Sequence, residues 1–248
     1  MQRVVVAVAG GDPVPSHVAR VLPAHAEVIA ADSGLTVALA LGLSVDLVVG
    51  DLDSVEPRAL ARARAAGVEI EQHPAAKNRT DLALAMDAAV TRGATRIVVV
   101  GGHGGRLDHG LANALLLAAP AYADVDVVAH MGDATIHVVR SSATFVGTPG
   151  ELVSLLPIHG AAHGVTTHGL LYPLADEDLP MGSTRGVSNE FAQPEVRVEV
   201  TDGVVLAVRP GALGTHLRAH TDDDATLVLA ARRRAPDDPG IEAPAGEC

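Results

Sequence analysis

Short apolar runs alternate with segments of helical spacing over the first half of the chain. The runs are almost continuously apolar, as strands are when helices cover both faces of a sheet. Between two of them, Leu82, Ala85, Met86 and Ala89 share one face of a predicted helix, which Gly93 would end. The alternation predicts a Rossmann-like parallel α/β domain over residues 1–132. The predicted strands are VVVAVA (4–9), EVIAA (27–31), LVV (47–49), VEI (68–70), RIVVV (96–100) and VDVVA (125–129).

The pattern changes after about residue 133. Strand-like runs are joined there by turns rich in Gly, Pro, Asn and Asp, which predicts a smaller β-sandwich over residues 133–220. Residues 221–248 form a C-terminal extension that begins with a possible strand or short helix. We expect it to be disordered from about residue 234, where it is rich in Pro and acidic residues. The runs are TIHVV, ELVSLLPI, GVTTHGLLYPL, EVRVEV and VVLAVR.

Composition and charge exclude several classes of function. Of the 248 residues, 48% are hydrophobic and 2% aromatic, so the core must consist mainly of Ala, Val and Leu. A formal net charge of -12 argues against a nucleic-acid partner. No run of about 18 apolar residues occurs, so we expect no membrane span. The single cysteine, Cys248, and an N-terminus that reads as a strand favour a cytoplasmic location.

Acidic or glycine-rich segments lie beside several predicted strands. Ligands of open α/β sheets bind beyond the carboxyl ends of the strands. We therefore expect these segments to meet at one edge of the sheet. They are Gly10–Asp12, Asp32–Gly34, Gly50–Ser54, Lys77–Asp81 and Gly101–His109.

The segment GDLDS holds two carboxylates, Asp51 and Asp53, two residues apart. If the chain stays extended past Gly50, both point to the same side. Such a pair suits Mg²⁺, which prefers oxygen ligands and shares its shell with substrate phosphates. A structural alternative is that Asp51 caps a turn and Asp53 begins the next helix. Similar alternatives hold for Asp32, in an Asx-type turn, and for an acid at a helix start, Asp81.

Two further segments offer contacts for phosphate. Lys77 and Arg79 precede Thr80, which also has the position of a helix N-cap. The loop GGHGGRLDH lacks the Gly-Lys-Ser/Thr ending of a P-loop, but its glycines let backbone amides approach phosphate, and Arg106 can contact phosphate oxygens. A tight-packing role for these glycines is the alternative. A helix is predicted from His109 to Ala123.

The second half carries two aromatic residues with a possible binding role. Tyr172 and Phe191 could stack on a flat heterocycle or fill the β core. Ser188 and Asn189 offer hydrogen bonds to ring nitrogens or an amine.

Together these motifs closely resemble the thiamine pyrophosphokinase family. The resemblance covers roughly residues 4–210 and is specific because the motifs, in order, span both halves. It implies an α/β domain followed by a β-sandwich, a homodimer, and transfer of diphosphate from ATP to the hydroxyethyl group of thiamine, giving thiamine diphosphate and AMP. The motifs are ADSG, LGLSVDLVVGDLDS, KNRTD, GGHGGRLDHGLAN, GVTTHGLLYPL and GVSNE.

The resemblance also implies roles for individual residues. The family's acidic cluster for Mg²⁺ and phosphate corresponds to Asp32, Asp51, Asp53 and Asp81, and we expect the last three, with Arg106, to be catalytic. Expected thiamine contacts are Asp108, His109, Tyr172, Ser188 and Asn189, shared across a dimer; some relatives have tryptophan near the position of Tyr172. Expected ATP contacts are Gly10, Gly11, Asp32, Lys77, Asn78, Arg79, Thr80, Gly105 and Arg106.

Two alternatives to this activity predict different sequence features. A related diphosphokinase that acts on a hydroxymethyl pterin should lack the Ser188–Asn189 segment, which is present. A non-catalytic thiamine or nucleotide sensor should have lost acids from the cluster, and all four are present.

Overall fold

The fold is that of a computed structural model and is described for residues 2–213. Its first part is a sheet of six parallel strands, which lie side by side in the order Glu69–Gln72, Leu47–Gly50, Glu27–Ala31, Val4–Ala9, Arg96–Val100 and Asp126–Met131. The order reverses between the strands Val4–Ala9 and Arg96–Val100, and open α/β sheets have their ligand crevice at such a point. These strands are β1 (Val4–Ala9), β2 (Glu27–Ala31), β3 (Leu47–Gly50), β4 (Glu69–Gln72), β5 (Arg96–Val100) and β6 (Asp126–Met131).

Helices cover both faces of this parallel sheet, which confirms the expectation drawn from its continuous apolar runs. On one face Ile97 and Val99 pack with Met86 of the helix Asp81–Thr91; on the other Val6 packs with Ala38 of the helix Gly34–Ala40. The helices are α1 (Gly34–Ala40), α2 (Pro57–Ala65), α3 (Asp81–Thr91) and α4 (Leu107–Leu117), with 3-10 turns at Ser16–Arg20 and Pro120–Tyr122. Gly93 follows the end of α3 with φ +80°, as predicted.

The predicted helix His109–Ala123 was wrong at both ends. Helix α4 begins earlier, at Leu107, because Arg106 is the extended N-cap residue, with φ -78° and ψ 116°. It ends at Leu117, three residues before Pro120. Proline has no N–H to continue the helix and disfavours helical geometry in the residue before it, so a separate 3-10 turn follows.

The second half extends the same sheet and adds another. Strands β7 (Ala134–Val139), β9 (Leu152–Pro157), β12 (Asn189–Glu190) and β14 (Val205–Arg209) continue the large sheet from β6 in the order β7-β14-β9-β12. A four-stranded sheet, β11-β10-β13-β8, packs against them through Val153, Leu155, Val196 and Val198. Its strands are β8 (Ser142–Val146), β10 (Ala162–His168), β11 (Glu177–Leu179) and β13 (Glu195–Glu199).

The large sheet runs without interruption through the predicted boundary at residues 132 and 133. That boundary falls in the turn between the antiparallel strands β6 and β7. The division into two domains therefore stays a prediction. The expected extension 221–248, and the last residues of the predicted second domain, lie outside the described residues. Among residues 2–213, no helix has both the length and the apolar character needed to cross a membrane.

Glycine at position 34 allows α1 to lie directly on the sheet. A Cβ atom at Gly34 would meet the Val8 carbonyl oxygen at 2.0 Å. The contact is with backbone, which cannot rotate away. By contrast, a Cβ atom at Gly110, inside α4, would meet no heavy atom within 4 Å beyond the backbone of its own helix.

We expect the same substitution to have opposite effects at these two glycines. Gly34→Ala should lower the free energy of unfolding by about 3 kcal/mol because α1 must move off β1. Gly110→Ala should raise it by about 0.5–1 kcal/mol, since alanine is the better helix former. Urea unfolding followed by circular dichroism measures both. Equal changes in the two variants would contradict this packing of α1.

Candidate functional site

A cleft of about 480 Å³ opens where the parallel strands end, on both sides of the point at which their order reverses. The ends of β1, β2, β3 and β5 supply most of its lining, and α3 and α4 begin at its edge. The predicted meeting of the acidic and glycine-rich segments is thus observed. The polar and glycine lining consists of Gly10, Gly11, Asp32, Ser33, Asp51, Asp53, Ser54, Thr80, Asp81, Gly102, His103, Gly104, Gly105, Arg106, His109 and Asn113.

Three carboxylates form the centre of the cleft. Asp32, Asp51 and Asp53 each offer an oxygen atom, and these atoms all lie within 4.8 Å of one another. The backbone is not extended past Gly50, contrary to the sequence-based expectation, because Gly50 has φ +148° and Leu52 has φ +66°. The two acids still converge, since this turn brings them together. Helix α2 begins only at Pro57, so Asp53 does not start a helix.

Lys77 connects two acids of the cluster. Its Nζ lies 3.0 Å from Asp51 Oδ2 and 2.8 Å from Asp81 Oδ1. The hydrogen bond from Lys77 lowers the pKa of Asp51. Burial by itself would lower the pKa of Lys77, but its hydrogen bonds to Asp81 and Asp51 outweigh burial and raise it. Lys77 and Asp51 are therefore held in their charged forms.

Asp32 differs from its neighbours because it is buried, with 7% of the residue exposed. Burial first, and then the negative charges of Asp81, Asp51 and Asp53, raise the pKa of Asp32. Its Oδ1 atom is buried and has no hydrogen-bond partner among the described residues. A buried oxygen without a donor is costly. The three carboxylates of Asp32, Asp51 and Asp53 therefore fit a hard divalent cation, which takes carboxylate oxygens as ligands.

Glycines bring the backbone of two loops close together at the other side of the cleft. A Cβ atom at Gly11 would lie 2.3 Å from the His103 carbonyl oxygen, which accepts a hydrogen bond from Asp12 N. Asn113 Nδ2 donates to Gly102 O at 2.8 Å, and Gly132 N donates to His103 Nδ1. His103 and Asn113 were not among the predicted site residues. Asn113 could have been found, since the predicted helix placed it one turn from the loop.

Arg106 lies at the cleft edge and is paired along its own helix. Its Nε and one terminal nitrogen donate to Asp108 at 3.1 and 2.6 Å. These bonds lower the pKa of Asp108 to about 2, although both side chains are exposed. His109 lines the cleft and Asp108 does not. The first turn of α4 thus places one predicted phosphate contact beside two predicted thiamine contacts.

Two predicted ATP contacts lie away from the cleft. Arg79 pairs with Asp87 and donates to the Tyr122 hydroxyl. Asn78 and Arg79 do not line the cleft, and Lys77 adjoins it only through its contacts with Asp51 and Asp81. Thr80 lines it, but its hydroxyl accepts a bond from Ala83 N and so caps α3.

The predicted thiamine residues of the second half form a separate group. Tyr172 is 55% exposed, whereas Phe191 is buried in the second core with the Arg209 guanidinium 4.9 Å from its ring centre. Asn189 is buried, and its amide accepts from Tyr172 N and donates to Tyr172 O at 2.7 Å. Asn189 therefore holds the Tyr172 loop in place. Ser188 is exposed, with φ +56°. None of these residues lines the acidic cleft.

Comparisons with known proteins agree on one family. Residues 18–129 match the model of the thiamin pyrophosphokinase catalytic domain, and residues 133–205 match that of the thiamin pyrophosphokinase vitamin B1 binding domain. The thiamine pyrophosphokinase of Bacillus subtilis (strain 168) is 27% identical over 195 residues, which are 75% of this chain and 87% of the relative.

Solved structures of the same family share the fold. The crystal structure of thiamine pyrophosphokinase from Bacillus subtilis has a TM-score of 0.74 at 26% identity and covers 84% of this chain and 99% of its own. That of thiamin pyrophosphokinase from Geobacillus thermodenitrificans has a TM-score of 0.71 at 25% identity, covering 84% and 97%. These structures share the mixed α/β sheet and the β-rich part.

The contacts of Lys77 lead to a prediction about cation binding without nucleotide. Replacing Lys77 with methionine removes one positive charge beside Asp51 and Asp81, so the acids should bind Mn²⁺ about tenfold more tightly. Electron paramagnetic resonance titration of free Mn²⁺ measures this in the absence of any substrate. Lys77→Arg keeps the charge and should stay near the original affinity. Unchanged or weaker Mn²⁺ binding by Lys77→Met would show that Lys77 does not compete with the cation.

Proposed function

The chain belongs to the thiamin pyrophosphokinase family, and on that premise we propose how its residues transfer the diphosphate group of ATP to thiamine. The supporting observation is the convergence of Asp32, Asp51 and Asp53 at the point where the strand order reverses. The products of this transfer are thiamine diphosphate and AMP.

The carboxylates of Asp32, Asp51 and Asp53 would hold Mg²⁺, with Asp81 beside them. The buried, unpartnered Oδ1 of Asp32 supports this assignment. When bound, Mg²⁺ supplies positive charge that neutralises the phosphate oxygens as charge builds up on them. Lys77 keeps Asp51 ionised and holds Asp51 and Asp81 in position. The carboxylates repel one another, so each of them increases the stabilisation that a bound cation would give to the other three.

The glycine loops and Arg106 would bind the triphosphate. Backbone N–H groups at Gly10, Gly11 and Gly105 can approach phosphate closely, because no side chain stands in the way. The hydroxyl oxygen of thiamine then forms a bond to the β-phosphorus. The bond from that phosphorus to the oxygen shared with the α-phosphate breaks, and AMP leaves with this oxygen. The hydroxyl proton passes to one of the four aspartates. Such transfers depend mainly on positioning and electrostatics.

Two observations support a homodimer with a shared thiamine site. First, α4 is rich in leucine, yet within it only Leu117 is buried, while Leu107, Leu111 and Leu115 are 77, 57 and 47% exposed. Their spacing of four residues places them on one side of the helix. An apolar stripe of this kind is typical of an interface. Second, Tyr172 does not line the acidic cleft of its own chain. A partner's β-rich part would bring thiamine to the cleft.

The proposal also includes a Rossmann-like first part, a β-sandwich in the second part and a cytoplasmic location. The strand order supports a Rossmann-like first part, and the facing sheets support a β-sandwich. The single cysteine supports a cytoplasmic location. The comparisons do not favour a pterin diphosphokinase, since the second half matches a vitamin B1 binding domain, or a non-catalytic sensor, since residues 18–129 match a catalytic domain.

An assay of AMP formation tests the reaction. The chain with ATP, thiamine and Mg²⁺ should release AMP, and a hydroxymethyl pterin should not replace thiamine. Asp51→Asn and Asp53→Asn should each lower the rate by about 10²–10³-fold, because each removes a charge facing the phosphates. The exposed Asp124→Asn variant, outside the cleft, should keep the full rate. Formation of ADP, or a near-full rate in either cleft variant, would contradict the proposal.

Sedimentation velocity tests the dimer. The original chain should sediment as a dimer, and Leu111→Glu should shift it to monomer and lower thiamine turnover, because a charge replaces part of the apolar stripe. Val146, 66% exposed on β8, provides the matched control as Val146→Glu. A monomeric original chain would rule out the shared site, and a Leu111→Glu dimer with full turnover would rule out the α4 stripe as the interface.

A further inference from the structure

A second cleft, of about 340 Å³, lies on the face of the large sheet that carries Val98 and Val128. Strands β5, β6, β7 and β14 form its floor, and Val21–Pro23 and Leu213 form its wall. It shares no lining residue with the acidic cleft. The proposed reaction gives it no role.

Polar side chains occupy the floor of this cleft, where the neighbouring sheet positions are apolar. His130 pairs in register with Thr135, and Thr135 with Arg209, so the three stand in one row across β6, β7 and β14. They are 8, 7 and 5% exposed. His130 Nδ1 lies 3.2 Å from Thr135 Oγ1. A buried polar group is costly unless it is hydrogen-bonded, and Arg209, which donates to Glu151 and to the Val146 carbonyl oxygen, still has a buried Nε atom without an acceptor among the described residues.

The charged residues that line the cleft are both arginines. Arg209 pairs with Glu151 at 2.7 Å, and Arg96 lies 3.4 Å from Asp126, but neither carboxylate lines the cleft. Arg209 Nε is buried and makes no hydrogen bond to the described residues, whereas Arg96 Nε is the buried atom that lies 3.4 Å from Asp126 Oδ2. A positively charged lining on a chain with a net charge of -12 is a local feature. It favours an anionic ligand.

The lowered pKa of His137 agrees with a positively charged lining of this cleft. Burial first, and then the positive charges of Arg209, His130 and Arg96, lower the pKa of His137 to about 3. Its ring packs on Phe145 with 4.7 Å between ring centres. The neutral imidazole can donate one hydrogen bond into the cleft.

We propose that this cleft binds a small organic phosphate, with the phosphate between Arg96, His137 and Arg209 and a compact apolar body against Leu22, Pro23 and Leu213. Guanidinium, imidazole and hydroxyl groups reach the site from four strands, which suits a tetrahedral oxyanion better than a planar carboxylate. The opposite wall is apolar and excludes a fully hydrated ion. The volume admits one ring and one phosphate.

Phenyl phosphate is the probe for this site. The full chain is titrated at pH 7 with a chelator and without nucleotide, so that divalent cations cannot carry phosphate into the acidic cleft. Calorimetry should give one site, and the ring signals of His130 and His137 in ¹H–¹⁵N spectra should shift while those of His103 and His109 stay unchanged. Inorganic phosphate should bind at least about tenfold more weakly, because it lacks the apolar body. Phenol, which lacks the charge, should also bind at least about tenfold more weakly.

Variants separate the proposed contacts from general charge effects. Arg96→Met should weaken phenyl phosphate binding about tenfold. His137→Phe keeps a ring against Phe145 and should also weaken it, which provides a second test if Arg96→Met does not fold. Arg92→Met removes an arginine that lines neither cleft and should leave the affinity unchanged. The proposal is overturned if phenol or inorganic phosphate binds as tightly as the ester, if folded Arg96→Met and His137→Phe keep full affinity, or if the shifts appear at His103 and His109.

Discussion

Mutual repulsion among four carboxylates is the constraint on which the catalytic half depends. Asp32, Asp51, Asp53 and Asp81 meet in one cleft, and Lys77 offsets only one of their four charges. The parallel sheet holds this arrangement, because the strands that lead into the cleft, β1, β2, β3 and β5, are buried on both faces. The acids are held together by elements that cannot easily separate. The cleft thus keeps an excess of negative charge, which the proposed Mg²⁺ would offset.

Unusual backbone geometry at the strand ends also helps to bring the four carboxylates together. Asp32 and Leu52 have positive φ, which residues other than glycine seldom adopt. Such geometry persists only where the surrounding structure enforces it, and it is found most often at functional sites. At Gly50 a side chain would meet Asp81 Oδ1 at 2.8 Å, so the absence of a side chain lets Asp81 approach the cluster.

The strands and the acidic cluster could be predicted from sequence, whereas several side-chain directions could not. Apolar runs located β1, β2, β3, β5 and β6 because burial on both faces leaves a continuous signal, whereas β4 is largely exposed and lies at Glu69–Gln72 rather than at 68–70. The start of α4 was missed because the N-cap residue, Arg106, makes no side-chain capping hydrogen bond and is not a typical N-cap residue. The end was missed because the residue that stops the helix, Pro120, lies three residues after its last residue. Arg79 stands beside Lys77 in sequence, yet it turns to Asp87, because neighbouring residues on a loop need not face the same way. Phe191 could not be assigned until the second sheet showed which face it packs on.

The position of β14 in the large sheet has a consequence for synthesis of the chain. β14 lies between β7 and β9, so within residues 2–213 the strands β9 and β12 reach the large sheet only through it. A ribosome releases β9 about fifty residues before it releases β14. Until then, β7 presents an open edge and β9 has no place on the sheet. Contacts between segments so far apart in sequence form slowly, and unpaired edges invite pairing with other chains. The β-rich half of the nascent chain therefore exposes an unpaired strand edge until β14 has been synthesised.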